Sequence, residues 1–134
     1  GAACHTGERG CFFREIETPF KDVETSSRDL STASIIDRVY DVILERKSNP
    51  GERSYVSSLF TKGADTILKK IGEEASELLI SGKGGNKDEV THEMADLWFH
   101  TLVLLGHLDI SPEEVYGELK RRFGTSGIEE KERR

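Results

Sequence analysis

The sequence predicts an all-α protein, a bundle of about four helices. Three observations lead there. Apolar residues recur at helical spacing through long runs, and strand-like alternation is absent. A third of the residues, 33%, are charged, as in chains whose long polar side chains coat the outer faces of helices. At 134 residues the chain is long enough for one domain with a modest core. Aromatic residues make up only 7%, so that core must be mostly aliphatic.

Residues 1–29 carry no helical period. Gly1, Gly7 and Gly10, then Thr18-Pro19 and a Ser/Thr/Asp-rich run, read as an irregular arm and linker ahead of a helical domain over residues 30–134. Ile35, Ile36, Val39 and Ile43 define a first helix that Ser31 or Thr32 can cap and that Ser48-Asn49-Pro50-Gly51 stops. A short segment from Ser54 to Thr61 presents Tyr55, Leu59 and Phe60. The second helix carries Ile67, Leu68, Ile71, Ala75, Leu78 and Leu79 and ends at Gly82, with Gly84-Gly85 beyond. Asn86 or Asp88 can cap the third, whose stripe is Val90, Met94, Leu97, Trp98, Leu102 and Leu105. Ser111-Pro112-Glu113-Glu114 starts the fourth, with a cap, Pro at the first position and acids in the first turn. That helix holds Val115, Leu119 and Phe123, and residues 129–134 read as a charged, frayed tail.

Several functions are excluded by charge and hydropathy. A net charge of −6 argues against a nucleic-acid groove, which runs on clustered Lys and Arg. No apolar run approaches the roughly 20 residues of a membrane span, and the longest, around Leu102 to Leu105, is broken by Gly106 and His107. The N-terminus lacks the basic and apolar regions of a secretory signal. Cys4 and Cys11 cannot staple the rest of the chain, so the expected location is the reduced cytoplasm.

Two acidic patterns stand out. Glu73, Glu74 and Glu77 form E-E-x-x-E on the second helix, and Glu93 and Asp96 form E-x-x-D on the third. Residues three or four apart share a helix face, and the short glycine-rich link should make these helices antiparallel neighbours. Five carboxylates so gathered repel one another unless some are protonated or a cation sits among them. Hard oxygen donors point to Mg²⁺, with Mn²⁺ as a substitute. Spacing alone leaves a solvated face open, with Lys69 and Lys70 pairing with Glu73 and Glu74. Glu89-x-x-His92 has the local spacing of a di-iron bundle, but the second E-x-x-H that such a site needs is missing.

Taken together, Ser54-Tyr55-x-x-x-Leu59-Phe60-Thr61-Lys62-Gly63, Lys70-Ile71-Gly72-Glu73-Glu74-x-x-Glu77 and Glu93-x-x-Asp96-Leu97-x-x-His100 resemble the phosphoribosyl-ATP pyrophosphatase family. So does the tail from Arg122 to Lys131. The acidic motif alone is shared with the wider MazG-like α-helical pyrophosphohydrolases; the Ser-Tyr segment and the tail narrow it. The resemblance implies a homodimer that hydrolyses 1-(5-phosphoribosyl)-ATP, a step of histidine biosynthesis, to 1-(5-phosphoribosyl)-AMP and pyrophosphate. It implies Mg²⁺ held by Glu73, Glu74, Glu77, Glu93 and Asp96, one of which would also activate water. Ser54, Tyr55, Lys62 and Lys70 would contact phosphate or ribose, and His100 would orient Asp96 or serve as a structural histidine. Trp98 and Phe99 read as core or dimer contact. Simple packing for Tyr55, and an i,i+4 pairing for Lys70, stay open beside these roles.

Residues Cys4 to Arg14 resemble the C-terminal end of phosphoribosyl-AMP cyclohydrolase, the enzyme of the next step, where two cysteines help bind zinc. Catalytic zinc usually takes three protein ligands, so the resemblance implies a relic or a cut fusion without cyclohydrolase activity of its own. Two other functions compete with the first: a house-cleaning (d)NTP pyrophosphohydrolase and a non-catalytic helical interaction module.

Overall fold

A computed structural model describes residues 32–124 and 126–134, which form six helices. These are α1 (Thr32–Ser48), α2 (Tyr55–Lys62), α3 (Ala64–Gly84), α4 (Lys87–His107), α5 (Pro112–Arg122) and α6 (Gly127–Glu132). There is no strand among the described residues. The arm predicted over residues 1–29, its boundary near residue 30 and the cap at Ser31 lie outside them. α1, α3, α4 and α5 are the four predicted helices, and α2 and α6 are additions.

Both additions have a local cause. Ser54 accepts a hydrogen bond from the Ser57 N–H at 3.0 Å and starts α2, so the segment from Ser54 to Thr61 is a two-turn helix. Gly63 ends it at φ +89°, a region that favours glycine. Ser126 and Glu129 form a reciprocal capping box, so α6 takes the place of the predicted frayed tail.

Helix ends elsewhere follow the predicted chemistry, with one extension. α3 runs through Gly82 to Gly84, where Gly85 at φ +77° donates to the Ser81 carbonyl. Asn86 caps α4 by accepting from the Asp88 and Glu89 N–H groups. α4 runs on through Gly106 to His107. A Cβ at Gly106 would lie 3.2 Å from Ile43 Cγ2 and 3.4 Å from the Phe60 ring, so the missing side chain lets α1 and α2 approach α4.

α3 and α4 form the main helix pair. α1 packs across α4, and α2 touches both α1 and α3. Their shared core is Tyr40, Ile43, Val56, Leu59, Ile67, Phe99, Leu102 and Val103. Ile43, Val56, Ile67 and Val103 are fully enclosed, each contributing about 1.5–3 kcal/mol on burial. α5 joins α1 more lightly, with the Tyr116 hydroxyl donating to Asp37 at 3.3 Å.

The buried faces differ from the predicted stripes. On α4 the inner face is Glu93, Asp96, Phe99, His100, Leu102, Val103 and Gly106, so of the predicted stripe Leu102 is buried while Met94 and Trp98 face outward, Trp98 at 54% exposure. On α3, Leu68 and Leu79 are exposed, and Glu74 and Ser81 join Ile67 inside. On α5, Leu119 is exposed, and Phe123, predicted to lie in this helix, falls just beyond its end at 91% exposure. These helices carry more apolar residues than one face holds, so the packing of α1 and α2 decides which are covered.

Candidate functional site

The left-handed turn at Gly85 and the cap at Asn86 fold α4 back along α3. Residues at similar distances on either side of that turn therefore meet. On α3, Ile67, Lys70, Glu74 and Ser81 fall at helical spacing on one face; on α4, Glu93, Asp96 and His100 do the same. Glu74, Glu93 and Asp96 each place a carboxylate oxygen within 4.8 Å of the other two. Among the described residues, this is the grouping that could hold a metal ion.

All three carboxylates are buried, Glu74 at 1% exposure and Asp96 at 3%. Each has one oxygen (Glu74 Oε2, Glu93 Oε2 and Asp96 Oδ1) enclosed without a hydrogen-bond partner. Buried polar atoms are nearly always satisfied, and ionised ones more so. Burial pushes Glu74 up to about 7, the charges of Asp96, Glu93 and Glu77 add to this, and Lys70 opposes it. Burial likewise raises Glu93, with Asp96 and Glu77 adding to it. Asp96 is raised by burial too, against the pull of His92 and Lys70. Burial thus works against three separate charges here, and a hard divalent cation is the species whose chemistry fits three buried oxygen donors.

Two further acids named from sequence lie outside this grouping. Glu73 is exposed and held by Lys70 at 3.0 Å and Lys69 at 4.0 Å, the pairing of a solvated face. Glu77 is half-buried on the next turn of α3, and its charge is felt at Glu74, Glu93 and Asp96. Lys70 also lies 3.7 Å from Glu74 Oε1 and is the cation that faces the cluster from α3.

His100 is fully buried, and burial pushes it down to about 4, so it is neutral at physiological pH. Its Nδ1 lies 2.8 Å from the Asp96 backbone carbonyl, which can only accept. Nδ1 therefore carries the proton, and Nε2 accepts from the Tyr55 hydroxyl at 2.8 Å. His100 thus holds the Asp96 backbone and not its carboxylate, and it ties α2 to α4. Tyr55 packs on Phe99 with ring centroids 6.5 Å apart, so packing and hydrogen bonding together fix it.

Ser54 and Lys62 border a separate hollow of about 380 Å³, lined also by Pro50, Gly51, Ser58 and Thr61. Sequence reading missed one neighbour of the cluster. His92 places Nε2 3.3 Å from Asp96 Oδ2. The signal for it is the spacing, since His92 stands four residues before Asp96 and so shares its helix face.

Comparison with known proteins adds to this geometry. The family model described as phosphoribosyl-ATP pyrophosphohydrolase matches residues 36–123. The chain is 64% identical over 100 residues to the phosphoribosyl-ATP pyrophosphatase of Geotalea daltonii, covering 75% of this chain and 94% of that relative. It is 63% identical over 97 residues to the phosphoribosyl-ATP pyrophosphatase of Geobacter sulfurreducens, with 72% and 90% covered. The histidine biosynthesis bifunctional protein HisIE of Caldanaerobacter subterraneus is 42% identical over 123 residues, 92% of this chain and 56% of its own length. With 123 of 134 residues matched, that likeness must take in part of residues 1–29. A longer, bifunctional relative is consistent with the resemblance of Cys4 to Arg14 to the end of a second enzyme.

Proposed function

The chain belongs to the phosphoribosyl-ATP pyrophosphohydrolase family, and from that membership we infer that it hydrolyses 1-(5-phosphoribosyl)-ATP to 1-(5-phosphoribosyl)-AMP and pyrophosphate, a step of histidine biosynthesis. The observation that carries the chemistry is the set of three buried, unpartnered carboxylate oxygens facing one another from α3 and α4.

In this reading Glu74, Glu93 and Asp96 hold Mg²⁺. The bound ion would neutralise the acidic cluster, draw phosphate oxygens to it and stabilise the charge that develops as the anhydride breaks. Glu77, on the next turn of α3 and close enough for its charge to act on all three, would add a donor to the cation or position the attacking water. Glu73 keeps Lys70 beside the site, and Lys70 supplies a positive charge for a phosphate. Ser54 and Lys62 offer contacts for the ribose and phosphate of the added phosphoribosyl group at the hollow beside α2. Tyr55, fixed by His100 and Phe99, connects α2 to the helix that carries Asp96. The outward apolar side chains Leu68, Leu79, Ile80, Met94 and Trp98 on α3 and α4 support a homodimer. No described helix is long and apolar enough to cross a membrane; membership of a biosynthetic enzyme family supports a cytoplasmic location.

The test is pyrophosphate release with Mg²⁺ present, comparing phosphoribosyl-ATP with ATP and dNTPs. The substrates differ by the phosphoribosyl group, whose contacts must supply the discrimination. A preference of about a hundredfold in kcat/KM corresponds to about 2.7 kcal/mol of differential transition-state binding. Equal turnover of ATP or dNTPs would move the chain to the house-cleaning pyrophosphohydrolases.

A further inference from the structure

His92 stands one turn before Asp96 on α4, at the edge of the carboxylate cluster. Its side chain is 28% exposed, and that of Asp96 is 4% exposed, so the imidazole spans from solvent to a buried carboxylate. Nε2 lies 3.3 Å from Asp96 Oδ2, while Asp96 Oδ1 is enclosed with no hydrogen-bond partner. The two oxygens of one carboxylate thus have different surroundings. An aspartate left to itself turns over a broad terminal torsion, so the plane of its carboxylate is poorly fixed. A neighbour on one oxygen removes that freedom and leaves the other directed inward.

The other basic groups nearby have different work. Both nitrogens of His100 are engaged, one by the Asp96 backbone carbonyl and one by the Tyr55 hydroxyl. Lys70 lies against Glu73 and Glu74. We propose that His92 is a positioning residue that holds Asp96 Oδ2 and thereby presents Oδ1 to the cation bound by Glu74, Glu93 and Asp96. This rests on the reading of those three as a Mg²⁺ site. A neutral imidazole protonated on Nε2 suffices, so the role requires no change of charge. Partners of this kind behind a metal ligand typically change affinity by about 10- to 100-fold, although a partly exposed i,i+4 contact adds little to the fold.

Mn²⁺ replaces Mg²⁺ in the test because free aquo-Mn²⁺ can be counted by electron paramagnetic resonance without any turnover. The full chain is titrated at one pH as wild type, His92→Ala, His92→Gln and Glu74→Gln, with thermal melts of each metal-free protein. His92→Ala should weaken Mn²⁺ binding by about 10- to 100-fold. His92→Gln, whose amide can donate to a carboxylate four residues on, should stay within about threefold of wild type. The metal-free melts of both should match wild type. Wild-type binding that His92→Ala leaves intact, or a Gln variant as weak as the Ala variant, overturns the positioning role and leaves the cation site standing. Wild type without Mn²⁺ affinity, or a Glu74→Gln variant that binds like wild type, overturns the cation site and this inference with it.

Discussion

Replacing Glu74 by Gln tests whether the cluster is as protonated as its burial implies. The side chain keeps its shape and loses only the capacity to ionise. Burial and the neighbouring acids raise Glu74 from an ordinary 4.5 to about 7, which corresponds to roughly 3 kcal/mol of free energy between its two protonation states. The raised value sets the sign. Glu74 contributes stability that is fully present below pH 4.5 and lost as pH rises to about 7. In EDTA, the stability of Glu74→Gln relative to wild type should therefore increase with pH over that window, by about 3 kcal/mol, and then level off. For a chain of this size that is on the order of 10 °C in Tm.

Asp96 and Glu93 share the pocket, so the titration belongs to the cluster. His100 pulls the other way, and because its Nδ1 lies 3.9 Å from Glu74 Oε1 the comparison is repeated in a His100→Gln background. Urea melts from pH 4 to 8 give the quantity directly. Saturating Mg²⁺ should then restore wild type at pH 8, by roughly 2.7 kcal/mol at a hundred times the Kd, and leave the variant unmoved. A stability difference that stays flat with pH would mean that Glu74 ionises like a surface carboxylate, and the buried-cluster argument would be refuted.

Two further predictions follow from single contacts. His100 is held neutral and lowered to about 4, so its contribution to stability is present above pH 6.5 and fades as pH falls toward 4. Wild type should lose about 3 kcal/mol relative to His100→Gln across that range, and matched acid melts that run parallel would refute the buried, neutral imidazole. Gly106→Ala adds a methyl 3.2 Å from Ile43 Cγ2, which costs about 1–3 kcal/mol in an already filled core against at most about 1 kcal/mol of helix propensity gained. Urea unfolding should show net destabilisation, and a more stable variant would show that α1 can move aside.

How much of this was legible in the sequence depends on what each signal measures. Caps and stops are local chemistry, which is why Asn86 and Ser111-Pro112 mark their helix starts, while the glycine that stops α3 is Gly85 and not the predicted Gly82. Ser126 and Glu129 carry an equally local signal, and α6 could have been read from it. Burial is not local. Trp98 and Phe99 are adjacent and both apolar, yet the first is exposed and the second enclosed, because α3, α1 and the Tyr55 ring pack on one side of α4.

The same limit governs the acids. Glu73 and Glu74 are neighbours in one motif, but a helix turns about 100° between them, enough to place one in water with two lysines and the other in the core. Spacing could name five carboxylates and could not rank them, since ranking needs the position of α4. Once α4 is in place, desolvation separates them, with Glu74, Glu93 and Asp96 raised by burial and Glu73 left on the solvent side. What the motif encodes is therefore a face, and what selects three residues from that face is the antiparallel turn at Gly85 and Asn86. A substitution that shifts this turn, such as a β-branched residue at Gly85 with its φ of +77°, should disperse the cluster without touching any carboxylate.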